Sequence, residues 1–409
     1  MIYRNLLLCA LLILTVSASF AQDEIPDDSD QIVYTVVDAF GDTVTITPTD
    51  LERIISIGGA VTEILYDLGM GDNIIAVDVS SIYPPQTADL PTVGYLRFLS
   101  AEPVLSYEPS LIITTEDAGP VDTLRLIQSV GIPVLIVPAE DTPEGAAEKI
   151  RTVAAGVGKS DEAEAIIEAM RRDIERAQAL VEMVETRPRV LFVFAGSNIA
   201  LGVLGRASGG HQMLELVNVE NAITIEDGYI PLTAEAIVAA APDIILTTSL
   251  SVERVGGVEN FLNLPGISLT PAAQNGRIVY EQMDDLFLLG FTPRLGDAIL
   301  NLTYLLHEDL PRPAYAVVRL SPALEQFEAQ LRRAGQLEAL DIDEPLTVLA
   351  PNNDALTLAD TELSASELSA LILQGAIPPQ EMTAVPADMI EAVISTANGY
   401  VYILNGLPE

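Results

Sequence analysis

The pattern of hydrophobic and polar positions changes several times along this chain. Residues 31–47 alternate between apolar and polar side chains around Gly41-Asp42, which predicts a β-hairpin. After residue 52, short β-branched runs alternate with helical segments, an arrangement typical of lobes built on parallel sheets. The runs that predict buried strands are 53–57, 73–77, 110–115, 133–137, 189–194, 243–248 and 277–280.

A long amphipathic stretch separates two such series of strands. Residues 160–186 are rich in Ala, Glu and Arg and predict one helix, which Ser160-Asp161 can cap and which Pro188 ends. A further helix is predicted over residues 294–307. Two series on either side of one long helix predict two lobes that this helix joins.

An internal repeat supports the two-lobe interpretation. Residues 94–115 and 228–248 each contain a Gly-Tyr pair, a Ser or Thr placed to cap a helix, a proline, and a buried strand that ends in two threonines. In open α/β sheets, ligands bind beyond the carboxyl ends of the strands. Two such lobes facing each other predict a single cleft, with Tyr95 and Tyr229 at related positions across it.

Beyond residue 310 the pattern changes again. Pro311-Arg312-Pro313 predicts a linker, and the residues after it are rich in Leu, Ala and Glu, with one clear strand over 346–349. We therefore predict an α/β fold with two parallel-sheet lobes, a ligand cleft between them and a small α+β C-terminal module. The predicted segments are a signal peptide (1–21), a leader and N-terminal hairpin (22–50), the first α/β lobe (51–159), the linking helix (160–187), the second α/β lobe (188–310) and the C-terminal module (311–409).

The first residues predict export. An apolar run over 6–16 follows Arg4 and precedes Ser19-Phe20-Ala21, a small-x-small cleavage site. A retained membrane anchor is the alternative, although the run is shorter than the ~20 residues that span a bilayer. Cys9 is the only cysteine and lies inside this signal, so we expect a mature chain without disulfides or thiolate zinc sites. The expected location is periplasmic or secreted.

Charge and composition exclude several functions. The chain has 59 acidic and 20 basic residues and a formal net charge of −39, which disfavours binding to nucleic acid or to anionic membranes. With only two histidines, a multi-histidine metal site is excluded. The sequence contains no P-loop and no hydrolytic constellation above background, so we do not expect an enzyme.

Tyr95 and Arg97 are the leading candidates for chemistry. A phenol binds ferric iron as the phenolate, and a neighbouring guanidinium favours that anion. Arg97 could instead hold a ligand carboxylate, and packing is the plainer role for a loop tyrosine. In the second lobe, Arg206 is a similar candidate, with a surface charge as the alternative. His211 is a candidate ligand contact, with a capping or solvent role at a helix start as the alternative.

Three segments carry a resemblance to a known family. Residues 57–69 read IGGAVTEILYDLG, residues 93–102 read VGYLRFLSAE, and residues 283–294 read MDDLFLLGFTPR. They resemble the haem-binding receptors of bacterial ABC importers, within the helix-bridged class (class III) of periplasmic binding proteins, over roughly residues 50–308. The Thr-Glu-x-Leu element marks the broader class, which also carries corrinoids and siderophores. The Gly-Tyr-Leu-Arg and Met-Asp-Asp elements are more specific to haem.

The resemblance implies a set of roles. Haem would be the transported ligand, Tyr95 the axial iron ligand, and Arg97 a partner of the phenolate or of a propionate. The sixth iron position stays open to Tyr229, His211 or water. One glutamate per lobe would dock onto arginines of the permease. Glu63 matches the first. The best match for the second is Gln212, with Glu215 one helical turn away as the candidate.

Two further sequence features bear on ligand number and on the C-terminal module. Some family members hold a second, stacked haem through a histidine near the start of the second lobe. Residues 194–198 read FAGSN here, so that route to two haems is not expected. Residues 346–355, LTVLAPNNDA, resemble the opening of a fasciclin-type domain, a family associated with adhesion.

The sequence thus predicts an extracytoplasmic receptor that binds haem and delivers it to an ABC permease. One alternative is a receptor for a corrinoid or a ferric siderophore. Another is a surface adhesion protein that acts through residues 311–409.

Overall fold

The computed structural model describes residues 33–195, 202–224, 228–231, 233–280, 283–342, 344–359 and 362–408. The predicted signal peptide and the leader up to residue 31 lie outside the described residues. Within the described ranges, no helix combines the length and the hydrophobicity needed to cross a membrane.

The predicted N-terminal hairpin is present. Strands β1 (Tyr34–Val37) and β2 (Thr43–Ile46) pair antiparallel, with Val36 opposite Val44. Gly41 has φ = 83°, a conformation that glycine adopts without a steric penalty, so the turn falls where the sequence predicts it. Val36, Val44 and Ile46 are buried and join the hydrophobic core of the first lobe.

The first lobe is a four-stranded parallel sheet in the order β4-β3-β5-β6. Its strands are nearly continuous runs of β-branched residues, which suits a sheet that is covered on both faces. The strands are β3 (Ile54–Ile57), β4 (Ile74–Val77), β5 (Leu111–Thr115) and β6 (Val134–Val137). The helices are α1 (Gly59–Asp67), α2 (Ala101–Leu105), α3 (Val121–Ser129) and α4 (Pro143–Gly156).

The linking helix α5 (Ser160–Val181) is shorter than predicted. Lys159 occupies the capping position, rather than Ser160. The helix buries one apolar stripe, with three- and four-residue spacing, against α4 and a later helix. The fully buried part of that stripe ends at Ala177, and Met183, just beyond the end of the helix, is 63% exposed.

The second lobe has a mixed sheet in the order β10-β8-β7-β11-β12, with β9 beside β7. Strands β7, β9, β11 and β12 are parallel, whereas β8 runs antiparallel to both β7 and β10. The second lobe therefore has the predicted parallel strands, together with an antiparallel strand, β8, that the sequence did not predict. The strands are β7 (Arg189–Phe194), β8 (Gly202–Leu204), β9 (Glu220–Asn221), β10 (Tyr229–Pro231), β11 (Ile244–Leu246) and β12 (Ile278–Val279).

The length of one connection accounts for the antiparallel strand. Only residues 195–201 join β7 to β8, whereas a parallel crossover needs about a dozen residues or more. The helices of this lobe are α6 (Gly209–Leu216), α7 (Ala234–Ala240), α8 (Ser249–Arg254), α9 (Val258–Leu262), α10 (Pro271–Gln274), α11 (Asp285–Leu289) and α12 (Leu295–Leu306).

The C-terminal residues form a third sheet, in the order β14-β13-β16-β15. Their hydrophobic core is continuous with that of α12, so they pack directly against the receptor lobes. The predicted boundary at residue 311 stays a prediction. The helices are α13 (Ala314–Leu320), α14 (Glu325–Arg333), α15 (Asn353–Ala359) and α16 (Ala365–Ala370). The strands are β13 (Leu346–Pro351), β14 (Ile372–Gln374), β15 (Ile390–Thr396) and β16 (Gly399–Leu404).

Candidate functional site: a cleft between the lobes

The topology of the first lobe places a crevice at the carboxyl ends of β3 and β5. These strands are neighbours, but the chain leaves β3 towards β4 on one side and leaves β5 towards β6 on the other. Ligands in open α/β sheets bind at such a switch point. A cleft of about 440 Å³ opens there, and residues of both lobes line it. The second lobe contributes Phe194, Leu250, Arg254, Leu289 and Gly290.

Backbone geometry brings the start of α1 to this cleft. Gly58 follows β3 with φ = 104°, and its N–H donates to the buried carboxylate of Asp78 at 2.8 Å. A Cβ at Gly58 would stand 3.5 Å from Thr115, which ends β5. The positive end of the α1 dipole therefore faces the cleft, where it favours a negatively charged ligand group.

Tyr95 lines the first-lobe wall of the cleft, as the sequence predicts. It precedes a short 3-10 turn and follows Gly94, whose φ is 105° and whose carbonyl accepts a hydrogen bond from the N–H of Val79 at 2.9 Å. The half-buried Tyr95 ring lies 6.0 Å from the ring of Phe98, which is 72% exposed. An aromatic pair thus stands at the cleft, with one ring open to solvent.

Arg97 lines the same wall and pairs with Asp117 at 2.9 Å. Both side chains are about half exposed, and exposed ion pairs contribute only about 0–1 kcal/mol. Arg97 can therefore exchange Asp117 for a ligand carboxylate at little cost. The structure brings Tyr95 and Arg97 together in one cleft.

The cleft also holds charged residues that the sequence interpretation missed. Lys149 is buried, and its Nζ donates to the carbonyl oxygens of Gly290 at 3.3 Å and Phe291 at 3.4 Å. Burial lowers the pKa of Lys149, and burial raises the pKa of Asp141, whose charge acts on Lys149. The signal for Lys149 is that it is the one charged residue on the buried face of α4.

Arg254 is the other missed cation, and it stands on the second-lobe wall. It ends α8, the helix that follows the carboxyl end of β11. The rule that ligands bind beyond the carboxyl ends of strands would have pointed to this helix.

The second-lobe candidates from the sequence lie elsewhere. Among the residues that line the described part of the cleft, Arg206, His211 and Tyr229 do not appear. Arg206 is exposed at a bend before α6. The backbone N–H of His211 donates to Ser208 Oγ at 3.2 Å, so His211 lies at a capped helix start.

Tyr229 differs from Tyr95 because it lies in a strand. In β10 it pairs with β8, and a Cβ at Gly202 would stand 2.5 Å from its ring. Its hydroxyl is buried without a hydrogen-bond partner among the described residues, and burial raises its pKa. The expectation that Tyr229 faces Tyr95 across the cleft therefore does not hold for the described cleft.

The two predicted docking glutamates differ in exposure. Glu63 is 1% exposed, and its carboxylate accepts from Nε of Arg294 at 3.1 Å and from the Arg294 backbone N–H at 3.2 Å. Burial raises the pKa of Glu63 to about 7, although Arg294 opposes this shift. A permease could reach Glu63 only by displacing Arg294. Glu215 is half exposed on α6, 3.8 Å from Arg187, and its docking role stays a prediction.

Comparisons with known proteins agree with this architecture. Residues 54–283 match the family described as "Periplasmic binding protein". A solved structure of the periplasmic haem-binding protein RhuT from Roseiflexus sp. RS-1 is 37% identical, with a TM-score of 0.59 over 63% of this chain and 98% of that one. The periplasmic haem-binding protein HutB of Vibrio cholerae is 32% identical, with a TM-score of 0.55 over 63% of this chain and 99% of that one.

The curated relatives include a protein that binds a different ligand. A cobalamin-binding protein of Halobacterium salinarum is 26% identical over 59% of this chain and 66% of its own length. An uncharacterised ABC transporter substrate-binding lipoprotein, YvrC of Bacillus subtilis, is 26% identical over 52% of this chain and 68% of its own length.

The family match ends at residue 283, and the fasciclin likeness of residues 311–409 stays a prediction. Members of the matched family are transport receptors rather than enzymes. The match covers more than half of the chain and includes the sheets of both lobes. The chain belongs to the periplasmic binding protein family and is an extracytoplasmic substrate-binding receptor of an ABC transporter.

Proposed function

We propose that this receptor captures haem in the cleft between its lobes and delivers it to an ABC permease. The observation that carries the proposal is the placement of Tyr95 and Arg97 on one wall of the cleft. The haem-binding proteins among the solved structures, at 37% and 32% identity over nearly their whole length, support it.

The chemistry of the cleft suits a flat, apolar ligand with two carboxylates. Its volume of about 440 Å³ lies within the range of about 300–1,000 Å³ typical of small-molecule sites. Apolar side chains line both walls, and the phenol oxygen of Tyr95 is a hard donor for ferric iron. Arg97, Arg254 and Lys149 supply positive charge for carboxylates. These local cations are needed because the net charge of −39 repels anions.

A hemin titration of the purified protein tests the proposal. We expect the wild type to develop a tyrosinate–Fe(III) absorption spectrum, and Tyr95→Phe to lose that spectrum and at least about tenfold in affinity, equivalent to 1.4 kcal/mol. Tyr229→Phe is the matched control, because the same hydroxyl is removed from a tyrosine outside the described cleft. Unchanged hemin binding by Tyr95→Phe would refute the role of Tyr95 as iron ligand.

A corrinoid is the second candidate, and the cobalamin-binding relative favours it. The two ligands make different demands, since corrinoid binding should not depend on the Tyr95 phenol. Titration with cyanocobalamin beside hemin separates them. Saturable cobalamin binding that survives Tyr95→Phe, with weak hemin binding, would transfer the proposal to corrinoid transport.

Delivery requires contact with a permease, and Glu215 is the accessible candidate for it. We expect Glu215→Gln to leave hemin affinity unchanged and to weaken binding to the cognate permease in a pull-down. The Glu63 carboxylate would contribute only if Arg294 moved away on docking.

A further inference from the structure

The first turn of α12 joins three parts of the molecule. Arg294, which caps α12, pairs with Glu63 of the first lobe at 3.1 Å, and its guanidinium lies 3.6 Å from the centre of the Tyr83 ring. One turn later, Asp297 pairs with Arg319 at 2.5 Å and with Arg332 at 2.9 Å. One helical turn therefore contacts two other parts of the molecule. Arg294 binds the first lobe, and the Asp297 carboxylate binds the C-terminal helices α13 and α14.

Two of these three ion pairs, Glu63–Arg294 and Asp297–Arg319, are largely withdrawn from solvent. The exposed fractions of the side chains are 1% for Glu63, 17% for Arg294, 14% for Asp297 and 4% for Arg319. Removing one partner of a buried pair leaves the other charge without compensation, so such pairs cannot rearrange freely. The two contacts of this turn are thus coupled mechanically through a short stretch of helix.

The same turn is continuous with the cleft wall. Residues 290–293 connect α11 to α12, and Gly290 lines the cleft. Lys149 of the first lobe donates to the carbonyl oxygens of Gly290 and Phe291. Phe291 has φ = 44°, which is strained for a bulky residue and persists only where the surroundings hold it. Two buried first-lobe side chains therefore contact adjacent parts of the second lobe. Glu63 binds the first turn of α12, and Lys149 binds the segment 290–293 that precedes it.

The C-terminal residues also hold the helix that links the lobes. Arg176 of α5 forms an ion pair with Asp341, and Arg312 donates to the carbonyl oxygen of Tyr304 in α12 at 3.1 Å. Since α5 packs along α12, the C-terminal residues contact both helices at the base of the lobes. A cavity of about 500 Å³ lies beside the first turn of α12, where Arg294, Asp297 and Arg319 line it.

We propose that the C-terminal helices α13 and α14 form a brace that fixes the relative position of the two receptor lobes. Arg319 of α13 and Arg332 of α14 bind Asp297 in the first turn of α12. That turn binds Glu63 of the first lobe through Arg294 and follows directly on the cleft segment 290–293. The brace gives the C-terminal residues a role inside the receptor, separate from adhesion. It does not depend on which ligand the cleft takes.

Distance measurements between spin labels on the two lobes test the brace in the full chain. Cys9 is the only cysteine, so Cys9→Ser provides a cysteine-free background. Gln128→Cys and Ala239→Cys add label sites at exposed positions of α3 and α7. We expect Asp297→Asn, which keeps the side-chain shape, to broaden the inter-lobe distance distribution and to shift its mean by more than about 2 Å, the scale of domain rearrangements.

Arg332→Gln is the second variant, and Arg333→Gln is its matched control. Arg332 is 42% exposed, and its substitution removes only one of the two arginines that pair with Asp297. We therefore expect a smaller shift of the inter-lobe distance in the same direction. Arg333, the next residue of α14, pairs with Glu362 at an exposed site, and its loss should leave the distribution unchanged. If Asp297→Asn does not fold, Arg332→Gln against Arg333→Gln decides the question.

The brace is overturned if the wild-type distribution persists in both Arg332→Gln and a folded Asp297→Asn, or if Arg333→Gln shifts it equally. Because the distances are measured without ligand, a failure of hemin to bind the wild type would refute the haem proposal alone.

Discussion

The two lobes use similar sequence patterns in different ways. In the first lobe all strands are parallel, and the Gly-Tyr pair of the repeat lies in a loop that presents Tyr95 to the cleft. In the second lobe the related Tyr229 lies in β10, antiparallel to β8, and packs against Gly202. A repeated pattern therefore predicts repeated elements, but the side chains between those elements acquire different roles when the connections differ.

The ion pairs at Asp117 of the first lobe and at Asp297 of the second differ in exposure and in where the partners come from. The exposed pair of Arg97 and Asp117 belongs wholly to the first lobe. Asp297, in the last helix of the second lobe, depends on Arg319 and Arg332 from the C-terminal helices. The second lobe thus requires a later part of the chain, and substitutions at the two sites should have unequal costs.

The largest expected effect is on folding stability at Asp297. Asp297→Asn leaves a buried arginine without its counter-charge, so the free energy of unfolding should fall by about 3–5 kcal/mol. The matched first-lobe change, Asp117→Asn, should cost less than about 1 kcal/mol because that pair is exposed. Urea denaturation of both variants measures the difference, and equal costs would contradict the contrast between the lobes.

The contact between the lobes should make stability depend on pH. Burial raises the pKa of Glu63 to about 7 and that of Asp67 to about 6, so the folded state binds these protons more tightly than the unfolded state does. The stabilisation is present at low pH and is lost as the pH rises through these values. For Glu63 it amounts to roughly 3 kcal/mol between pH 4.5 and 7.

Denaturation at pH 5.5 and pH 8, in wild type and in Glu63→Gln, isolates this effect from the general repulsion of an acidic chain. The wild type should gain more stability on acidification than Glu63→Gln does. An identical gain in both proteins would show that Glu63 does not titrate in this range.

Replacement by phenylalanine should affect hemin affinity at Tyr95 and folding stability at Tyr229. Tyr95→Phe should weaken hemin binding by at least about tenfold and leave stability unchanged. Tyr229→Phe should leave hemin binding unchanged and raise stability by up to about 1 kcal/mol, because its buried hydroxyl is unsatisfied among the described residues. Hemin titration and thermal unfolding of both variants check this, and a loss of hemin binding in Tyr229→Phe would place that residue in the site.

The smallest expected difference concerns the two arginines predicted from the sequence. Arg97→Gln should reduce hemin affinity by about tenfold or less, as one charge-assisted hydrogen bond contributes about 1.5 kcal/mol. Arg206→Gln should not change the affinity, because Arg206 lies outside the described cleft lining. Parallel hemin titrations compare them, and a larger loss in Arg206→Gln would reverse their roles.

Much of the fold could be predicted because hydrophobic periodicity reports burial locally. The first-lobe strands begin one residue after the predicted positions and end where predicted, and α12 agrees within one residue at each end. The antiparallel β8 was missed, since a three-residue strand carries almost no periodic signal. Tyr95 and Arg97 could be predicted to lie in one cleft because a short motif holds both, whereas Arg254, which also lines the cleft, lies far from them in sequence.

The sequence by itself determined the longer helices and strands of the lobes, the two-lobe division and the loop that carries Tyr95, because each depends on residues close together in the chain. Only the tertiary structure decided that Tyr229 packs into a sheet, that Lys149 enters the cleft and that Arg294 covers Glu63. Glu63 and Arg294 are 231 positions apart, and such a contact forms only when whole lobes pack together. Burial of a charge depends on that packing, so no local pattern could reveal it.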